Sequence, residues 1–111
     1  MTSNRIDEVI ARRQLSFATD SGEVREIVVS IGKPEPAPDR GNFSCEYQIT
    51  GIGRNKAERI YGLDAFQAIQ LTLGFISTML NHYQQEASGR IYWQEPGDDM
   101  GFVEAPAPSL P

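Results

Sequence analysis

Residues 62–85 read GLDAFQAIQLTLGFISTMLNHYQQ, and the spacing of the apolar side chains in this stretch decides the fold class. Phe66, Ile69, Leu73, Ile76, Leu80 and Tyr83 recur at intervals of three and four, the period that lines one face of an α-helix. Asp64 stands where its carboxylate can accept amide protons from the first turn, and Gln67, three residues on, completes a capping-box pattern. A second stripe, Ala65, Ala68, Thr72, Phe75 and Met79, lies beside the first. The apolar face is therefore wider than a helix lying on one side of a small sheet requires. A helix ending near Gly89, where glycine takes a left-handed cap at little cost, is the expectation.

On the N-terminal side of this helix the period falls to two. Phe43, Cys45, Tyr47 and Ile49 alternate with Ser44, Glu46, Gln48 and Thr50, which places one set on a core face and the other in solvent. Gly51 to Asn55 then supplies a turn, and Lys56 to Tyr61 a shorter strand closed by Gly62. Gln14 to Thr19 alternates around Leu15 and Phe17, and Asp20-Ser21-Gly22 separates it from the β-branched run Val24 to Ile31, so these two form a hairpin. The residues up to Arg13 have helical spacing at Ile6, Val9 and Ile10, while Ile10 to Thr19 also fits an extended chain, and they are read as a frayed or short helical start followed by a strand. Between Lys33 and Asn42, prolines at 34, 36 and 38 remove alternate backbone donors, and this stretch is read as a stiff connection without a ladder.

Beyond the helix, Ile91 and Trp93 alternate with Tyr92 and Gln94 in a last strand cut off by Glu95-Pro96-Gly97. The reading is an α+β domain over residues 1–97, four to five antiparallel strands packed on one long helix, followed by an acidic and then Pro/Ala-rich flexible tail over 98–111. A chain of 111 residues is enough for one core and too short for two.

Charge and composition narrow the function classes. The net charge is −5; residues 1–61 balance nine basic against nine acidic side chains, and 62–111 carry Arg90 alone against six acids. The surplus of Lys and Arg that neutralises phosphates is missing, so no nucleic-acid partner is expected. Ala65 to Gln85 is free of Asp, Glu, Lys and Arg, yet Gln67, Gln70, Asn81, His82, Gln84 and Gln85 argue against a membrane span. One cysteine, Cys45, permits no intrachain disulfide, and with no secretory leader in view a cytoplasmic location is expected.

Catalytic signals are weak. His82, the only histidine, sits near the helix end and is read as an exposed residue favoured by the helix dipole. Cys45 shares its strand face with Phe43, Tyr47 and Ile49 and is read as a buried, inert thiol. Gly51-Ile52-Gly53-Arg54-Asn55-Lys56 lacks the third glycine and the strand-to-helix context of a phosphate loop, and reads as a hairpin turn. Glu95, Asp98 and Asp99 lack the full spaced set of a calcium loop and read as a solvated acidic turn. No enzyme activity, metal or cofactor is expected. Trp93 is read as core, and Tyr92 and Phe102 as aromatic groups suited to anchoring a partner.

The entry Gly62-Leu63-Asp64-Ala65-Phe66-Gln67-Ala68 resembles the Gly-x-Asp-x-x-Gln-Ala helix entry of a group of small, functionally uncharacterised bacterial domains, in which several strands and a Pro-containing loop precede the helix. The resemblance covers most of residues 10–94. It implies a bacterial source and the strand-then-helix order, and it carries over no catalytic residues. The expected function is a protein-protein interaction domain, self-associating as a homodimer, with Phe75, Met79, Tyr92 and Phe102 as candidate interface residues and the helix or an unpaired sheet edge as the contact. Two alternatives stand beside it. One is a small-molecule-binding pocket between sheet and helix, with Tyr47, Arg59 and His82 as its polar groups; the other is an immunity-type protein whose acidic C-terminal half neutralises a basic partner.

Overall fold

The computed structural model describes residues 6–40 and 42–102. Its elements are β1 (Val9–Thr19), β2 (Val24–Gly32), β3 (Glu35–Ala37), β4 (Asn42–Thr50), β5 (Ala57–Gly62), α1 (Ala65–Glu86) and β6 (Gly89–Tyr92). All strand pairs are antiparallel. β2 and β3 pair in turn with the two ends of β4, β5 pairs with β4 on its other side, and β6 pairs with β1. α1 therefore carries the chain from one edge strand, β5, across one face of the sheet to the other edge, where β6 lies beside Ser16 to Thr19.

The α+β architecture agrees with the period change read from the sequence, with six strands where four to five were expected. The additional one is β3. Prolines at every second residue leave Glu35 and Ala37 free to present their backbone groups to β4, because alternate residues of a strand bond to the same side, and Pro36 points its missing donor away. The short helical start is corrected as well: the chain is extended from Val9, since pairing with β2 up to Gly32 outweighs a helical spacing of only three apolar residues.

One face of the sheet carries the core. Leu15, Phe17, Ile27, Val29, Tyr47, Ile49 and Ile91 meet Ile76 and Leu80 of α1. The opposite face is polar and laced by side-chain hydrogen bonds such as Gln14 to Glu26 (2.6 Å) and Arg59 to Ser44 (3.2 Å), as a one-sided antiparallel sheet requires.

α1 starts as its sequence dictates. Asp64 Oδ1 accepts the Gln67 amide at 2.7 Å, and Gln67 Oε1 accepts the Leu63 amide at 2.7 Å. Its buried stripe is Ala68, Thr72, Ile76 and Leu80, whereas Phe66, placed by spacing in the first apolar stripe, is 79% exposed. The cause is the contact of Gly62 with Ala68: a Cβ on Gly62 would come within 2.6 Å of the Ala68 nitrogen, so the helix is turned with Ala68 inward. Phe66, about 200° away around the helix, is turned out. The helix ends earlier than expected, at Glu86, with Ser88 in the left-handed position at φ 56. Gly89 instead opens β6, where a Cβ would meet the Phe17 ring and the Ala18 carbonyl oxygen at 2.5 Å.

Candidate functional site

Two surfaces stand out, and they lie on different parts of the fold. The first is the outward face of α1. A surface helix ordinarily covers its solvent side with charged residues. Here no Asp, Glu, Lys or Arg occurs from Ala65 to Gln85, and that side presents Phe66, Leu71 (41% exposed) and Phe75 (42% exposed) among Gln70, Thr78 and His82. Phe75 leans over the sheet, its ring centre 6.0 Å from that of Tyr47. Met79, one turn on, is half-buried against the core.

The second surface is built on β1. Ala11 and Arg13 continue the inward-facing series of Leu15 and Phe17 past the region that α1 covers, which puts a guanidinium on the apolar face of the sheet. The chain after β6 folds back to meet it. Asp98 accepts the amides of Gln94 (3.2 Å) and Glu95 (2.8 Å), Asp99 accepts that of Gly101 (2.8 Å), and the Trp93 amide donates to the Asp99 carbonyl oxygen (3.2 Å). Residues 98–102, assigned by sequence to a flexible tail, are thereby seated on the domain, with Met100 and Phe102 packed against the core; the rest of that tail lies outside the described residues. Arg13 is stacked between Trp93 (3.8 Å to the ring centre) and Phe102 (4.7 Å), and its Nη1 donates to the carbonyl oxygens of Gly101 (2.7 Å) and Met100 (3.4 Å). Gly101 has φ +76, and a Cβ there would lie 2.5 Å from the Trp93 ring and 2.7 Å from Arg13 Nη1, so this crossing needs glycine.

An open cleft of about 320 Å³ lies beside this stack, walled by Ala11, Val29, Ile31, Leu73 and Phe102 with Arg13 at its rim, while the Arg12 side chain runs on the polar face toward Ser30. A shallower, more polar groove continues past Arg12 and Arg13 to Gln14, Ser16 and Gln94. Arg12 donates from Nε to Ser30 at 3.5 Å, and neither arginine has a carboxylate within ion-pair distance among the described residues.

The sequence-derived candidates separate accordingly. Phe75 and Met79 belong to the helix surface, Phe102 to the Arg13 stack, and Tyr92 to a third, polar cleft with Asn81, Gln84 and the turn at 97–100. Trp93 is not core: its indole is partly exposed and covers Arg13. Tyr47, Arg59 and His82 form no common pocket. Tyr47 faces inward, Arg59 lies on the polar sheet face near Glu46 (3.4 Å), and His82 is exposed beside Glu86 (3.2 Å). Burial, aided by the Glu58 carboxylate opposite, pushes the Tyr47 phenol up to about 12. Cys45 is buried and its thiol donates to the Gly32 carbonyl oxygen at 3.5 Å; burial raises its pKa above the ordinary value, against a smaller lowering by Thr72. The carboxylates of Asp98 and Asp99 are turned onto backbone amides of the turn, and no group of three acidic, His or Cys side chains among the described residues is placed to hold a metal ion. Among those residues no helix is long and apolar enough to cross a membrane.

Arg13 escaped the sequence reading, although a signal was present. Carrying the period of Leu15 and Phe17 back by one step places a charge on the core face, which needs a partner.

A family model described as "Domain of unknown function (DUF6968)" matches residues 11–104, and the chain belongs to that family. No curated protein and no solved structure matches it.

Proposed function

We propose that this member of a domain family of unknown function is a non-enzymatic protein-interaction domain that self-associates through the outward face of α1, in a bacterial cytoplasm. The observation that carries the reading is the aromatic outer side of α1, uncharged from Ala65 to Gln85. Depletion of charge with aromatic enrichment is the compositional mark of the centre of a protein interface, and apolar groups gathered on one exposed face point to a docking surface. The helix is about 33 Å long, long enough for two copies to pack their helices across a two-fold axis, with Leu71 and Phe75 central and Met79 beside them. Tyr92 and Phe102 lie outside that contact, being held on other parts of the fold.

The experiment is a charge placed in the centre of the face. Phe75→Glu, with Thr78→Glu as a second variant at an exposed polar position, should convert an associated species to monomer while the far-ultraviolet dichroism and melting cooperativity stay those of the parent. Association unchanged in both folded variants would contradict the reading.

A further inference from the structure

We propose that the cleft between β1, β2 and α1 is a binding site for a small amphipathic carboxylate, whose apolar body enters between Ala11, Val29, Ile31, Leu73 and Phe102 and whose head meets Arg13. This site is separate from the outward face of α1 and stands independently of self-association. The cleft, about 320 Å³ with mainly apolar walls, has the size of a small-ligand pocket. The rim gives the sign of the head group. Among the described residues Arg13 bonds only through Nη1, to two carbonyl oxygens, so its remaining donors are open to an anion. In a chain of net charge −5, with acids available nearby in sequence, Arg13 is met by no carboxylate of the described residues. Glu26 is bonded to Gln14, and Asp98 and Asp99 are turned onto backbone amides.

A guanidinium presents paired donors that match the two oxygens of a carboxylate. Arg13 is held against Trp93 and Phe102 and is pre-positioned, so little side-chain freedom is lost when the anion arrives. Trp93 is the only tryptophan and lies on Arg13, so it reports on the site directly.

The test is titration of the full chain with decanoate, below its aggregation concentration, followed by tryptophan emission and by calorimetry, with decanol and acetate as probes of body and head alone. The expected result is saturable one-to-one binding of decanoate, with decanol and acetate each weaker by about tenfold or more, in line with a hydrogen-bonded charge at the rim. Arg13→Gln should weaken decanoate by about tenfold, Ala11→Phe should block it by filling the cleft, and Arg12→Gln, on the other face of the sheet, should leave it unchanged. Phe75→Glu should leave it unchanged, which separates this site from the helix surface. Absence of saturable heat, decanol binding as well as decanoate, or indifference to both Arg13→Gln and Ala11→Phe would overturn the assignment.

Discussion

The guanidinium of Arg13 lies 3.8 Å from the centre of the Trp93 ring, joining the second residue beyond the inward pair Leu15 and Phe17 to the first residue after β6. Through this contact the segment after β6 is tied to the sheet rather than left to solvent, and the wall of the neighbouring cleft is formed.

A partly desolvated cation over an aromatic ring contributes about 0.5–2 kcal/mol. Arg13→Ala and Trp93→Ala should each destabilise the domain by about 1–2 kcal/mol, and the double variant by less than the sum, because each removes the same contact. Arg13→Lys should recover only part of the loss, since an ammonium lacks the flat fork that stacks and bonds both carbonyl oxygens. Urea unfolding of the four-member cycle measures the coupling; strict additivity would sever the link.

Tyr47 makes stability depend on alkaline pH. Its folded pKa is raised to about 12 from an ordinary value of 10.0, so the protonated, neutral phenol is favoured by folding. Its contribution is complete below pH 10 and is lost as pH rises through about 12. The amount is about 2–3 kcal/mol at most, at about 1.4 kcal/mol per unit. Denaturant midpoints between pH 9 and 12 should fall more steeply in the parent than in Tyr47→Phe; parallel curves would contradict the assignment.

The end of α1 offers two opposed substitutions. Ser88 occupies left-handed backbone at φ 56, so Ser88→Gly should raise stability by a few tenths to about 1 kcal/mol. Gly89→Ala should lower it by about 2 kcal/mol or more, because the added methyl meets Phe17 and the Ala18 carbonyl oxygen. Thermal unfolding of the two variants checks the order.

These residues also show what could be read in advance. Asp64 and Gln67 fixed the start of α1 because capping is local chemistry, and the alternation of β4 fixed its faces for the same reason. The rotation of α1 was not local. It depends on the approach of Gly62 to Ala68, and with two adjacent apolar stripes the spacing alone placed Phe66 inside. The start of β1 is not legible locally, because Ile6, Val9 and Ile10 fit a helical period and it is pairing with β2 that makes the chain extended from Val9. β3 is hidden in the sequence because prolines at 34, 36 and 38 mask a ladder, although the residues between them keep their donors and pair with β4. The helix positions of Phe75 and Met79 follow from local spacing, whereas the role of Arg13 depends on the returning segment that brings Trp93 and Phe102 to it.

Leu80→Ala separates core from surface. Leu80 is fully buried, and truncation should cost about 2–5 kcal/mol. Phe66→Ala, at an exposed position, should change stability by less than about 0.5 kcal/mol. Comparable losses in both would mean that the exposed and buried faces of α1 are assigned wrongly.

Self-association through α1 is tested most directly by light scattering coupled to size-exclusion chromatography, on the parent chain and Phe75→Glu over a hundredfold range of concentration. The account predicts a mass of two chains for the parent, falling toward one on dilution, and one chain throughout for the variant. A parent mass of one chain, 12.3 kDa, at every concentration would contradict it.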